Sequence, residues 1–261
     1  MPRWHAATKK WVARGRLVVL GVAQEQHPDR CLLFARWKRM DMPIVYDPIN
    51  ALECKGVPIA VAVDEHGVVR GAGVRAGTLE REFLSKTFKP TGAKAPSEAR
   101  FSASLEALKL TAAETRRSSA WRDYGDALIL RKGLSGLARA ISAYSKAAAL
   151  DPKDGNALFR LGVCYRMRYE SSGRKDGDDK KSTDLWRRAR SLDKRQYIWR
   201  RRTEQYGPKG DRPYVFYDWM IQAISEITNR GDKLPPLGPS WRAAVQPSEK
   251  PTTQPTKRNP K

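Results

Sequence analysis

The sequence predicts two folded units in series, an α/β unit over residues 1–88 and an all-α helical array over 98–229, joined by a linker at 89–97 and followed by a disordered tail over 230–261. Three observations carry that prediction. Met42 to Arg70 alternates short β-branched runs with turns bearing Asp and Gly, the pattern of strands closing into a hairpin. Residues 98–206 lose that pattern and repeat apolar residues at helical spacing, with small and aromatic residues recurring among them. From Arg230 onward, prolines recur among Lys, Thr, Ser and Gln, a composition too polar to bury a core.

Composition bounds the function. The 261 residues carry 50 Lys and Arg against 28 Asp and Glu, a net charge of +22. Such a charge predicts attraction to polyanions or acidic proteins and says nothing about fold. The length suits two ordinary domains. No apolar run approaches the roughly 18 residues of a membrane helix; Leu17 to Ala23 is the longest. Met1-Pro-Arg-Trp-His enters a mixed helix rather than a signal peptide, which leaves localisation open. Three cysteines, Cys31, Cys54 and Cys164, are too few and too odd for a disulfide scaffold. His5, His27 and His66 are too scattered for a metal cluster, and no cofactor is called for.

Taken in order, Trp4, Ala7 and Trp11 share one face of a helix over 4–14, which Gly15 ends. Leu17 to Val22 reads as a continuous apolar strand, of the kind buried on both faces of a parallel sheet. After the polar stretch Gln24–Arg30, Asp29 is suited to cap a helix over about 30–40 with Leu33, Trp37 and Met40 on one stripe. Pro43 to Tyr46 is a short strand, and Asp47 to Lys55 a loop with a helical turn. Ile59 to Val63 and Val68 to Arg70 form the hairpin around Asp64–Gly67. Pro58 is either the last loop residue before the ladder or the site of a cis bond. Leu79 to Phe88 reads as a last helix.

Gly56-Val57-Pro58, a strand, Asp-x-x-Gly and a strand ending in Arg resemble the C-terminal half of a thioredoxin-like domain, closest to the redoxin branch of thiol-disulfide reductases and peroxiredoxins. The resemblance covers about residues 1–85. It implies a cis proline beside active-site cysteines, with Val57 and Pro58 shaping a groove for a peptide or disulfide substrate. It also implies that the chain opens inside the first helix of that fold, so that the central strand and the Cys-x-x-Cys pair do not occur within these residues. Two explanations stand side by side: key cysteines upstream of Met1, or a redox-silent domain whose gap another segment fills.

The array carries a second resemblance. Trp121, Tyr124, Gly125 and Leu128, then Ala140, Tyr144, Ala147 and Pro152, are similar to a tetratricopeptide repeat. A second copy follows with Leu158, Leu161, Gly162 and Tyr165, then Trp186 and Ala189, interrupted by an insertion at about Ser171–Lys180. Gly125, Ala140, Gly162 and Ala189 let paired helices approach while aromatics fill the holes between them. Glu98 to Arg116 supplies a preceding helix, and Tyr214 to Asn229 is expected to cap the array with Phe216, Trp219, Met220, Ala223 and Ile227.

Candidate sites follow. Cys31, near a helix N-terminus beside Arg30 and close to His27, is placed where a thiol pKa falls; the alternative is a spectator thiol. Cys54, four residues before Pro58, is a candidate resolving or regulatory thiol. Glu25 and His27, directly after a strand, are positioned to act as acid or base, against the alternative of a solvated loop. Cys164 reads as core. Arg166, Arg187, Arg188 and Arg201, with Trp186, Tyr197 and Trp199 interleaved, suit an acidic protein partner in the repeat groove, with nucleic acid a less favoured alternative and a solvated surface the plain one. The function expected is a redox-family protein with a protein-interaction module, of the disulfide oxidoreductase or peroxidase type if the upstream cysteines exist. The alternative is a non-enzymatic adaptor.

Overall fold

The computed structural model describes residues 1–25, 27–90, 103–206 and 219–237. The molecule is mostly helical, with a small strand region in two sheets. The α/β unit runs α1 (Pro2–Ala13), β1 (Gly21–Ala23), α2 (Pro28–Trp37), β2 (Ile44–Tyr46), β3 (Val61–Val63), β4 (Val69–Ala72) and a short π-helical turn at Glu80–Leu84. The array runs α3 (Leu105–Thr115), α4 (Ser118–Lys132), a 3-10 turn at Gly133–Gly136, α5 (Leu137–Leu150), α6 (Gly155–Tyr169), α7 (Asp178–Leu192) and α8 (Tyr197–Tyr206). A last helix, α9, spans Trp219–Asn229.

In the α/β unit the strands form two separate two-stranded sheets among the described residues. β1 pairs with β2 in parallel, Gly21 opposite Ile44, and β3 pairs with β4 antiparallel, with an irregularity at Ala62/Val63. The Val57–Pro58 peptide is cis, the second of the two forms the sequence allowed. The expectation of a continuous strand from Leu17 buried on both faces is corrected. The ladder holds only Gly21–Ala23, and Val18 and Leu20 are 85% and 55% exposed. With a single neighbour, the segment has one face and one edge left open to solvent. The helix expected over Leu79–Phe88 is reduced to the π-helical turn.

The array follows the spacing read from the sequence. Asp154 caps α6 by accepting from Ala157 N at 2.9 Å, and also takes Ser118 Oγ at 2.7 Å and Arg122 Nη1 at 2.8 Å, so the starts of α4 and α6 are tied together. The small residues do what their size suggests. A Cβ on Gly125 would stand 2.6 Å from the Tyr144 ring, and one on Gly162 would stand 2.5 Å from the Trp186 indole and 3.0 Å from Ser182 O. Trp186 is fully buried and donates its Nε1–H to Phe159 O at 3.1 Å, which locks α7 onto α6. Cys164 is buried in this core, as expected. Asp178, within the insertion and first in α7, is buried, and its carboxylate accepts from Arg168 Nε at 2.7 Å and Nη2 at 2.9 Å.

The expected capping role is corrected as well for its described part, 219–229. Met220, Ala223 and Ile227 of α9 bury against Leu33 of α2, so this helix packs on the α/β unit and not on the repeats. Trp37 stacks on Trp219 at 5.9 Å and donates Nε1–H to Glu226 at 2.6 Å, while Arg230 donates to the carbonyls of Arg36 and Trp37. The apolar stripe of α9 was legible; its partner was a matter of which apolar stripe lay within reach. Residues 91–97 of the expected 89–97 linker, residues 98–102 and 214–218, and 238–261 of the expected tail lie outside the described residues; disorder from Arg230 onward is corrected for 230–237, where Leu234 and Leu237 pack on the α2–α9 cluster.

Replacing Gly162 by Val is expected to destabilise the chain by about 1–3 kcal/mol through overpacking, because a backbone carbonyl and a buried indole fill the space. Urea midpoints for wild type and Gly162→Val check this; equal midpoints would contradict the close α6–α7 approach.

Candidate functional site

The candidate site lies at the C-terminal end of β1, where the polar stretch singled out in the sequence meets the array. Pro28 occupies the first turn of α2, where a missing N–H costs nothing, and leaves His27 turned toward α6. His27 Nδ1 lies 2.9 Å from Glu25 Oε1, and Nε2 lies 2.6 Å from Glu170 Oε2 at the end of α6. Arg166 donates Nε–H to the other oxygen of Glu170 at 2.7 Å and lies 4.3 Å over the Tyr206 ring. Arg202 donates to Gln24 O at 3.4 Å, and Gln24 donates to Asp47 at 3.0 Å. Arg30, also buried, adds its positive charge beside Glu25.

Electrostatics make this a closed ionic knot. Burial alone would raise the Glu25 carboxyl, but the hydrogen bond and charge of His27, with Arg30 and Arg202 behind it, bring it down to about 2. Burial opposes ionisation of Glu170 too, and His27 and Arg166 overcome it, again to about 2. For His27, burial favours the neutral ring, yet Glu170 and then Glu25 raise its pKa above the ordinary value. A protonated His27 donates from both nitrogens, the only state that satisfies both carboxylates at once. Both ring nitrogens being engaged, the imidazole has no free position for general acid or base work.

The thiols are placed against activation. Burial, then the carboxylates of Glu25 and Asp29, push Cys31 up to about 12 against the weaker pull of Arg30. This corrects the expectation of a lowered pKa: the helix start and Arg30 are where the sequence put them, but desolvation and two carboxylates outweigh both. Cys54 is also raised, by burial and then Asp47. Its N–H donates to Asn50 Oδ1 and its carbonyl accepts from Asn50 Nδ2, both at 3.0 Å, inside a self-braced loop. All three thiols are free. Val57 and Pro58 stand exposed in the segment before β3.

The arginines divide. Arg166 is buried and committed to Glu170, so its expected place on a partner surface is corrected. Arg187 and Arg188 are exposed on α7, and Arg201 is half-buried on α8. Trp186 and Trp199 are core residues, the latter stacked on Phe159 at 6.2 Å, so they are not platforms for bases. Among the described residues no group of His, Cys, Asp and Glu is arranged to hold a metal ion, and no helix is long and apolar enough to cross a membrane.

A second contact between the units was not anticipated. Arg160 of α6, buried, donates Nη1 to Asp126 at 2.8 Å, Nε to Ile49 O at 3.2 Å, and Nη2 to Asn50 O at 3.2 Å and Glu53 at 3.1 Å. Its signal was available: an arginine between Phe159 and Leu161, in the apolar stretch Ala157–Cys164, needs a partner. Glu170 carried no such signal, since an acid at a helix end is ordinary. Comparison with known proteins finds no matching family model and no matching curated protein.

The knot implies a pH window. A histidine whose folded pKa is raised contributes stability that is complete below about 6.5 and lost as pH rises through the folded value; carboxylates lowered to about 2 contribute above about 4.5 and lose it as pH falls. Thermal unfolding of His27→Gln against wild type is expected to show the largest loss, about 3 kcal/mol, between pH 5 and 6.5, and a shrinking difference at higher pH. A difference independent of pH would count against a charged His27.

Proposed function

We propose that this protein is a non-enzymatic adaptor: a redoxin-like α/β unit clamped to a short tetratricopeptide-like array, which binds an acidic protein partner through a basic helix face. The observation that carries this reading is the outer face of α7. Lys180, Lys181, Arg187 and Arg188 are exposed there, at spacings that place them on one side of the helix, while Leu185, Trp186 and Ala189 are buried on the other. Arg187 leans on Asp184 at 3.8 Å, an exposed pair that costs little to open to a competing carboxylate. The overall charge of +22 adds long-range attraction to the same kind of partner.

The redoxin likeness of the α/β unit finds support in its division into two sheets, the arrangement expected of that fold without a central strand. A catalytic reading is less well supported, because burial and neighbouring carboxylates push both candidate thiols away from the thiolate. Nucleic acid is less well supported too, because two of the three aromatics that would stack on bases, Trp186 and Trp199, are buried and Tyr197 is half-buried.

Two measurements test the proposal. Fluorescence anisotropy with a labelled oligoglutamate 20-mer should show salt-dependent binding that weakens at least tenfold in Arg187→Glu/Arg188→Glu. Equal or tighter binding of single-stranded DNA of the same length, with the same loss in the variant, would move the assignment to nucleic acid. Iodoacetamide at neutral pH should modify Cys31 about a hundredfold more slowly than a free thiol; rapid, selective alkylation would restore the redox reading.

A further inference from the structure

The face that α4 and α6 present to the α/β unit is already occupied by polypeptide, and the manner of occupation describes a ligand. Ile49 is fully buried and belongs to the core of the array. Arg160 takes two successive carbonyls, those of Ile49 and Asn50, and the carboxylate of Glu53. Arg122 adds a second cation 3.9 Å from Glu53, and Tyr197 N at the start of α8 donates to Lys55 O at 3.1 Å.

The loop reaches this face in a shape it largely holds by itself. Asp47 accepts from Ala51 N at 2.8 Å and Leu52 N at 3.3 Å, and Asn50 exchanges two hydrogen bonds with the Cys54 backbone. Asn50 and Glu53 stand at φ values of 52° and 51°, the left-handed region that Asn tolerates and Glu rarely adopts. At the α4–α6 face, recognition uses one aliphatic side chain, two consecutive carbonyls after it, and a carboxylate four residues on. Each of these is local to residues 49–53, so a separate polypeptide can supply them all.

We propose that the α4–α6 face is a peptide-recognition site for a compact turn of the pattern aliphatic–Asn–x–x–acidic, that Ile49–Glu53 is its built-in occupant, and that a partner segment of this chemistry binds by displacing it. The loop and a partner segment compete for one set of donors: without the loop, the Arg160 guanidinium would keep Asp126 and exchange its other three acceptors for water, which a second polypeptide of the same chemistry can displace. The rim of the turn is open to attack, since Leu52 is 64% exposed. This inference is independent of the basic face of α7, and either can fail alone.

The test uses the full chain and a fluorescein-labelled peptide of residues 46–56, with serine in place of its cysteine. Wild type should bind it weakly because its own loop competes. Ile49→Asp/Glu53→Lys, which removes the aliphatic anchor and reverses the charge, should bind it at least tenfold more tightly, and adding Arg160→Met should abolish the gain. A scrambled peptide of equal charge should bind at least tenfold more weakly than the native one. Binding to the double variant no tighter than to wild type, with the helical circular dichroism unchanged, would overturn the proposal; so would a gain indifferent to Arg160 or to scrambling. Should the double variant lose its helical signal, Glu53→Ala alone decides. A several-fold gain in peptide affinity supports the proposal, and affinity equal to wild type overturns it.

Discussion

A guanidinium buried in a helical core is the constraint on which the arrangement of this protein depends. Arg160 lies within α6 among apolar neighbours, where an unpaired charge would be prohibitive. Its acceptors come from two parts of the chain: Asp126 of α4, itself held by the Tyr144 hydroxyl of α5 at 2.7 Å, and the loop at 49–53 from the α/β unit. One side chain therefore joins three helices of the array to the other unit. The site retains little solvation, and burial pushes the Asp126 carboxyl up to about 6 against the opposing effects of Arg160 and Tyr144.

α6 carries the second junction as well. Arg166 and Glu170, near its C-terminal end, hold the ionic knot around His27, while Arg160 nearer its middle holds the loop. Two attachment points along one helix restrict rotation of the α/β unit about either. The same electrostatics bear on chemistry. Glu25 is needed to pair His27, and its charge raises the neighbouring Cys31 thiol. Joining the units and activating a thiol make opposite demands on this position, and the geometry favours joining.

The α/β unit bears the cost on its surface. Its strands pair only two by two among the described residues, and Val18, Leu20, Ile59, Val61 and Val69 stay exposed. An apolar run signals burial only when a second layer arrives to cover it. Here the helix that covers part of the unit, α9, reaches α2, and these residues in and beside the strands remain exposed.

What the sequence determined was local. The helices of the array, the close approaches at Gly125 and Gly162, the hairpin at 61–72 and the presence of α1 and α2 follow from spacing, side-chain volume and turn chemistry, although α2 begins at Pro28 with Asp29 inside its first turn and not as its cap. Glu25 and His27 were visible as an unusual polar cluster after a strand, but Glu170 lies 143 positions from His27, and no local pattern announces such a partner. Only the tertiary structure decided that Arg166 would face inward, that α9 would pack on α2, that burial would overrule the cationic neighbours of Cys31, and that the loop at 49–53 would lie on the array. Each of these is a choice among partners of similar chemistry, and that choice depends on which surfaces meet in space and how much water remains between them.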